Sequence, residues 1–377
     1  MDCNRGAAGV AVLFVVATLA ACGAGGGGDG STAAQSTDNS TAAPPPDNVA
    51  GFAYVANNGS NDVSAYTIDA TTGALSEVAG SPFAAGAELR SVAVDPSGKF
   101  AYVSSRWDIL AYTINATTGA LSEIAGSPFD SGTFDPDRII VHPSGKFVYA
   151  VSNGLMSVFA YTINAATGAL TPVGEFAAAR NPNTIAVDPS GKFAYVTSAG
   201  TDIASAYSIN ATTGALTLVG GFAANAPIGI TVDPSGKFAY VIIPNGVSAY
   251  SIDAITGALS LVPGSPFVAG TNPRSVTVDP SGEFAYVANQ TSNDVSAYTI
   301  NATSGALTSV GAFAAGTLPL SVTVDPSGKF AYVANTQSAN VSAYTINTTT
   351  GALSEIAGSP FDTRAGPASV TTTRKIQ

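Results

Sequence analysis

Histidine and cysteine are almost missing from this sequence. Only two cysteines occur in 377 residues, Cys3 and Cys22. The chain beyond them therefore has no disulfide, no thiolate metal site and no cysteine nucleophile. His142 is the only histidine, which excludes a histidine-built zinc centre. It stands in Val-His-Pro-Ser-Gly, where equivalent segments carry Asp95 or Asp188. It is expected to be a turn residue and not the base of a Ser-His-Asp triad. Charge is scarce too. Only 10% of residues are charged, with a formal net charge of -11. A nucleic-acid partner requires a basic footprint to displace counterions, so nucleic acid is excluded. An anionic bilayer surface is a poor partner for the same reason. No segment combines helical spacing with caps. The carboxylates match no calcium-loop spacing, and the sequence implies no metal and no cofactor.

Large apolar side chains are nearly absent from residues 22–51, which are mostly Gly, Ser, Thr, Ala and Pro. Such a segment cannot bury a core and reads as a flexible tether. Its reach is on the order of 30 Å. Ahead of it, Arg5 precedes the apolar run Ala7–Leu19, which is too short to span a bilayer but suits a secretory signal. The run ends in Leu19-Ala20-Ala21-Cys22. This resembles the bacterial lipobox. The resemblance implies a signal peptide over 1–21, lipidation of Cys22, and an exported protein anchored to the cell envelope, at the outer membrane or its periplasmic or extracellular face. The membrane is then a partner through the lipid alone.

From Phe52 onward the chain repeats. Phe-Ala-Tyr-Val, or a close variant, starts at Phe52, Phe100, Phe147, Phe193, Phe238, Phe284 and Phe330. Such a period signals a solenoid, an array or a propeller. Each unit reads as four short strands. In the second they are Ser91–Asp95, Phe100–Ser104, Ile109–Asn115 and Ala120–Ala125, with turns at Asp95-Pro96-Ser97-Gly98 and Ala116-Thr117-Thr118-Gly119. The strands are apolar on both faces, which suits sheets packed between two other sheets. The expectation is an all-β, seven-bladed β-propeller over 52–377. An open β-solenoid is the alternative, and it would need capping repeats. The tail decides between them. Ala368–Thr373 looks like a first strand, whereas Phe52 opens a second strand. The C-terminal strand can complete the N-terminal blade and leave no exposed edge.

Asp-Pro-Ser-Gly-Lys-Phe-Ala-Tyr-Val-Ala-Asn at Asp325–Asn335 resembles the repeat of lactonase-like propellers (the 6-phosphogluconolactonase type) and of the related YVTN-type surface propellers. The resemblance covers Phe52–Gln377, and no Trp-Asp signature points to WD40. It implies hydrolysis of a sugar lactone or related lactone, by His, Glu or Arg groups near one mouth of the channel. No residue here matches those groups one for one.

Strand direction separates two faces of the disc. The near-invariant turns fall on one, called the bottom. The variable loops and blade-to-blade linkers fall on the other, the top, where binding is expected. All 14 Tyr occupy two repeat positions, and 14 of 17 Phe occupy two more. Those are core by register. Outside the signal, Trp107, Phe134 and Phe159 break the pattern. Arg90, Arg106, Arg138, Arg180, Arg274 and Arg364 all fall in top linkers or loops. Arginine suits carboxylate or phosphate, so these arginines, with Trp107 and Phe134, are candidate ligand-binding residues. Asp135, Asp137 and Arg138 are the candidate catalytic groups. A carboxylate would activate water and an arginine would stabilise an oxyanion. Two functions follow. One is an exported, lipid-anchored propeller, expected to be a monomer, that binds an anionic small molecule or a cell-surface partner through its top face. The alternative is a lactonase acting at the Arg/Asp-lined top mouth.

Overall fold

A computed structural model describes residues 48–130 and 135–375. The expectations for the signal peptide, Cys22 and most of the tether, and for Phe134, lie outside the described residues. No α-helix occurs among the described residues. Seven antiparallel sheets are present, each with the four-strand order of a blade. In blade 2 the strands are Ser91–Val94, Phe100–Ser104, Asp108–Ile114 and Leu121–Glu123, in that order from the centre outward.

Blade 1 is assembled from both parts of the chain. Its outer three strands are Val49–Asn57, Asp62–Asp69 and Leu75–Glu77, and its inner strand is Pro367–Arg374. The first strand begins at Val49, so the last residues assigned to the tether already belong to the sheet. Pro367–Arg374 pairs antiparallel with Val49–Asn57, setting Phe52 opposite Thr373 and Val55 opposite Val370. It also packs between the inner strands of blade 7 (Pro319–Val324) and blade 2 (Ser91–Val94). The inner strands of blades 2 through 7 are neighbours in series. The ring is therefore closed, and the fold is the seven-bladed β-propeller expected from the repeats.

The recurrent sequence has a local physical cause at each position. In the Asp-Pro-Ser-Gly turn, Asp95 Oδ1 accepts from the Phe100 amide at 2.7 Å and Oδ2 from the Ser97 amide at 2.9 Å. One buried carboxylate thus satisfies two backbone donors of a tight turn. Asp188, Asp233, Asp279 and Asp325 repeat the arrangement. His142 takes this place in blade 3. Its Nδ1 accepts from the Ser144 amide at 3.0 Å, and Nε2 lies 2.9 Å from the Gly191 carbonyl. A ring that accepts at Nδ1 carries its proton at Nε2 and donates there. His142 is a bottom-turn residue, as expected.

Phe of the second strand packs each blade on the next, and in six of the seven blades its Tyr bonds across as well; Tyr195 Oη has no partner among the described residues. Phe52 lies over the lower turn of blade 2, where Gly119 has φ +77° and an added Cβ would come within 2.3 Å of the ring. Tyr54 Oη donates to the Gly119 carbonyl at 2.9 Å. Phe330 and Tyr332 of blade 7 make the same contacts with Gly73 of blade 1, across the closure. Burial pushes these phenols up, so they remain donors. The third-strand tyrosines reach the opposite way. Tyr66 Oη donates to the Asp362 carbonyl of blade 7, and Tyr112 Oη to the Ala84 carbonyl of blade 1.

The outer strand departs from expectation. In blades 1, 2, 5 and 7 it is interrupted at a Ser-Pro step with a cis peptide bond, as at Ser127-Pro128. A two-residue strand follows it, as at Phe129–Asp130. The serine hydroxyl there accepts a backbone amide that the ladder would otherwise leave unpaired, as from Ala111 to Ser127 at 3.2 Å. Blades 3, 4 and 6 lack the Ser-Pro step and carry an unbroken eight-residue outer strand, as at Leu216–Ala223.

Candidate functional site

One repeat position rings the top of the central channel. Counting back five residues from the turn acid, or its equivalent, gives Arg90, Asp137, Asn183 and Arg274 in blades 2, 3, 4 and 6. The same count gives Ile228, Leu320 and Ala368 in blades 5, 7 and 1. All seven line a single cavity of about 400 Å³ at the top mouth, with Asn58, Asn153 and Thr336 from adjoining loops. The next position inward is Ser91, Thr184, Gly229, Ser275, Ser321 and Ser369 in six blades, but Arg138 in blade 3. Arg138 thus sets a guanidinium where the other blades have small side chains. It lines both the mouth and a narrower cavity of about 280 Å³, as does Arg274.

In six of the seven blades the chain places this ring by a left-handed residue two positions earlier. Glu88, Asn181, Ala226, Asn272 and Leu318 have φ of 53°, 53°, 42°, 58° and 56°, and Gly366 has 67°. This turn sends the linker down into the inner strand. Residues at or before it stay on the rim.

That geometry sorts the arginines expected to share the mouth. Arg90, Arg138 and Arg274 line it. Arg180 precedes Asn181 and is exposed, and Arg364 lies ahead of Gly366 and pairs outward with Glu77 at 3.4 Å. Arg106 is turned onto the rim, where it pairs with Glu88 and lies 4.8 Å over the Trp107 ring. Arg106, Arg180, Arg364 and Trp107 are not among the residues lining the cavity. The expected set of six mouth arginines therefore contracts to three.

Asp135 and Asp137 meet Arg90 at the mouth, with Arg138 beside Asp137. Arg90 donates from Nη1 to Asp137 Oδ1 at 3.1 Å and lies 3.4 Å through Nη2 from Asp135 Oδ1. Among the described residues its Nε is buried without a hydrogen-bond partner. Burial pushes the Asp137 carboxyl up to about 6; Arg90 opposes the rise, Asp135 reinforces it and Arg138 opposes it. Burial lowers the Arg138 guanidinium, with Asp137 acting against that. Among the described residues the Arg138 guanidinium donates no hydrogen bond. Arg274 is held by one nitrogen, donating from Nε to Gln290 Oε1 at 2.8 Å. The mouth thus holds a carboxyl that burial raises to about 6, beside guanidinium groups with spare donors. This combination is typical of reactive sites.

Asn58, Asn153, Asn183 and Thr336 were not singled out from the sequence. Asn183 could have been found by register, because it occupies the same repeat position as Asp137. The other three sit one residue beyond the second strand, where composition alone gives no signal. No group of metal-binding side chains occurs among the described residues.

A family model described as Lactonase, 7-bladed beta-propeller matches residues 41–231, 220–322 and 312–364. Among solved structures, a protein provisionally described as a 6-phosphogluconolactonase from Bacteroides fragilis is 19% identical. It superposes with a TM-score of 0.75, over 88% of this chain and 99% of its own. The periplasmic gluconolactonase of Pseudomonas aeruginosa is 16% identical, with a TM-score of 0.71 over 86% and 99%. At these identities the likeness is one of fold. No curated protein matches the sequence.

Proposed function

Because the chain belongs to the lactonase family of seven-bladed β-propellers, we propose that it is a lactone hydrolase working in the top mouth. The observation that carries this reading is Asp137, held partly buried 3.1 Å from Arg90 and beside Arg138, with its carboxyl pushed up to about 6. In the proposed step Asp137 takes a proton from water as the oxygen bonds to the lactone carbonyl carbon. The charge that develops on the carbonyl oxygen is met by Arg138 or Arg274, whose guanidinium groups keep donors to spare. When the ring C–O bond breaks, the proton passes from Asp137 to the departing alkoxide. The product is a hydroxy acid, and its carboxylate remains beside the arginines. Asn183 and Asn153 would orient the ring.

Binding without turnover is the second reading. It is favoured by the 3.1 Å contact of Arg90 with Asp137, which engages the proposed base. Both readings use the same mouth and the same arginines. We also propose export and lipid attachment at Cys22, supported by Leu19-Ala20-Ala21-Cys22 after an apolar run.

The test is acid release from a panel of lactones with the wild-type protein, Asp137→Asn and Arg138→Ala. The expected rate rises as pH increases through about 6, because the base form of Asp137 is required. Both variants should lose at least about 100-fold. Rates equal to spontaneous hydrolysis for every lactone would leave the binding reading.

A further inference from the structure

The ring residues differ in chemistry around the mouth, with an apolar pair at blades 7 and 1 and Ile228 set apart between Asn183 and Arg274. Blades 2, 3 and 4 present Arg90, Asp137 with Arg138, and Asn183 side by side, and Arg274 adds a cation from blade 6. Blades 7 and 1 present Leu320 and Ala368, which are neighbours in the ring, and Ile228 faces the same cavity from blade 5. All three are partly exposed within the mouth. None offers a hydrogen bond to a ligand. A sugar acid carries hydroxyl groups around its whole chain. Asn58 and Thr336 on the same side already donate to the Leu89 and Pro367 carbonyls, so hydroxyls brought against Leu320, Ala368 and Ile228 would lose water and gain few partners. An alkyl or aryl group in the same place gains from leaving water.

We propose that the natural ligand is amphiphilic: a small hydroxy acid bound as its monoanion, or the neutral lactone formed from it, bearing an alkyl or aryl group. The carboxylate of the acid, or the carbonyl of the lactone, lies against Arg138 and Arg274. The apolar group lies across blades 7 and 1. This rests on the reading of the top mouth as the ligand site, and it names the class of ligand that the site selects. Ligand choice is then set by the residue at one repeat position per blade. The polar residues supply the charge, and the apolar ones reject polyhydroxylated relatives of the same charge.

The experiment measures calorimetric binding of sodium hexanoate and sodium gluconate to the purified protein. Both probes have six carbons and one carboxylate. Each buried methylene is worth about fourfold in affinity, so hexanoate should bind at least about tenfold tighter. Arg274→Ala should weaken both probes alike. The double variant Leu320→Asn, Ile228→Asn, with its fold checked by its melting curve, should lose the preference for hexanoate while retaining or improving gluconate binding. Gluconate binding as tightly as hexanoate to the wild type would overturn the inference and leave the mouth as a ligand site. Binding of neither probe, or binding of both unaffected by Arg274→Ala, would remove the site and the inference with it. The wild-type comparison decides even if the double variant fails to fold.

Discussion

Asp137→Asn should make the protein more stable at neutral pH while it abolishes turnover. Raising a carboxyl from 3.8 to about 6 corresponds to about 3 kcal/mol of differential protonation energy. The folded state holds this proton more tightly than the unfolded chain does. The favourable contribution is therefore complete below the unfolded value, and it is lost as pH rises through about 6. At pH 7.5 the folded wild type carries a charge that its surroundings disfavour. Asparagine removes that charge but keeps an oxygen to accept from Arg90. Allowing for the weaker Arg90 contact, the variant should gain about 1–2 kcal/mol at pH 7.5. For a domain of this size that is a rise of about 2–4 °C in melting temperature. Near pH 4 the two proteins should melt together. The assay is a pair of melting curves at each of several pH values between 4 and 8. A variant that melts below the wild type at pH 7.5, with the gap closing as the solution is acidified, would refute the reasoning. It would mean that the arginines outweigh burial and hold the carboxylate charged.

Two further outcomes concern the ring itself. Truncation after Gly366 deletes Pro367–Arg374, unpairs Val49–Asn57 and exposes the inner strands of blades 2 and 7. The melting temperature should fall by at least about 10 °C, and an unchanged value in scanning calorimetry would contradict closure. Gly305→Ala adds a Cβ 2.3 Å from the Phe238 ring at φ +73°, whereas Gly220 has nothing within 4 Å. The first should cost about 3 kcal/mol and Gly220→Ala almost nothing; equal losses in urea unfolding would discredit the aromatic lock between blades.

The architecture was readable because each recurrent residue has a strong local reason to recur. Asp95 and its counterparts satisfy turn amides, and Phe52 and Tyr54 meet a left-handed glycine in the next blade. The closing strand was readable too, because Ala368–Thr373 keeps the pattern of an inner strand. The Ser-Pro interruption of the outer strand was missed. Its effect depends on a backbone geometry that the Ser127-Pro128 dipeptide does not display in sequence. The mouth was half read. Asp135, Asp137, Arg138, Arg90 and Arg274 stood out as charges in a sequence short of them. Ile228, Leu320 and Ala368 did not, since an apolar side chain in an apolar repeat carries no contrast. Arg180 and Arg364 were placed with the mouth because linker membership was taken as position. Only the left-handed residue between linker and strand shows that they stay outside.

The ring at the mouth also bears on how such a protein diverges. Bottom turns, aromatic locks and strand pairs are made by other positions, so the seven mouth residues carry little of the folding free energy. On the proposed reading of the mouth, a change there would alter what is bound and leave the scaffold standing. Mutation of seven codons could re-aim the molecule toward new ligands without an intervening unstable form. A library randomised at Arg90, Asp137, Asn183, Ile228, Arg274, Leu320 and Ala368 would be rich in folded members, and so a starting point for selecting new binders.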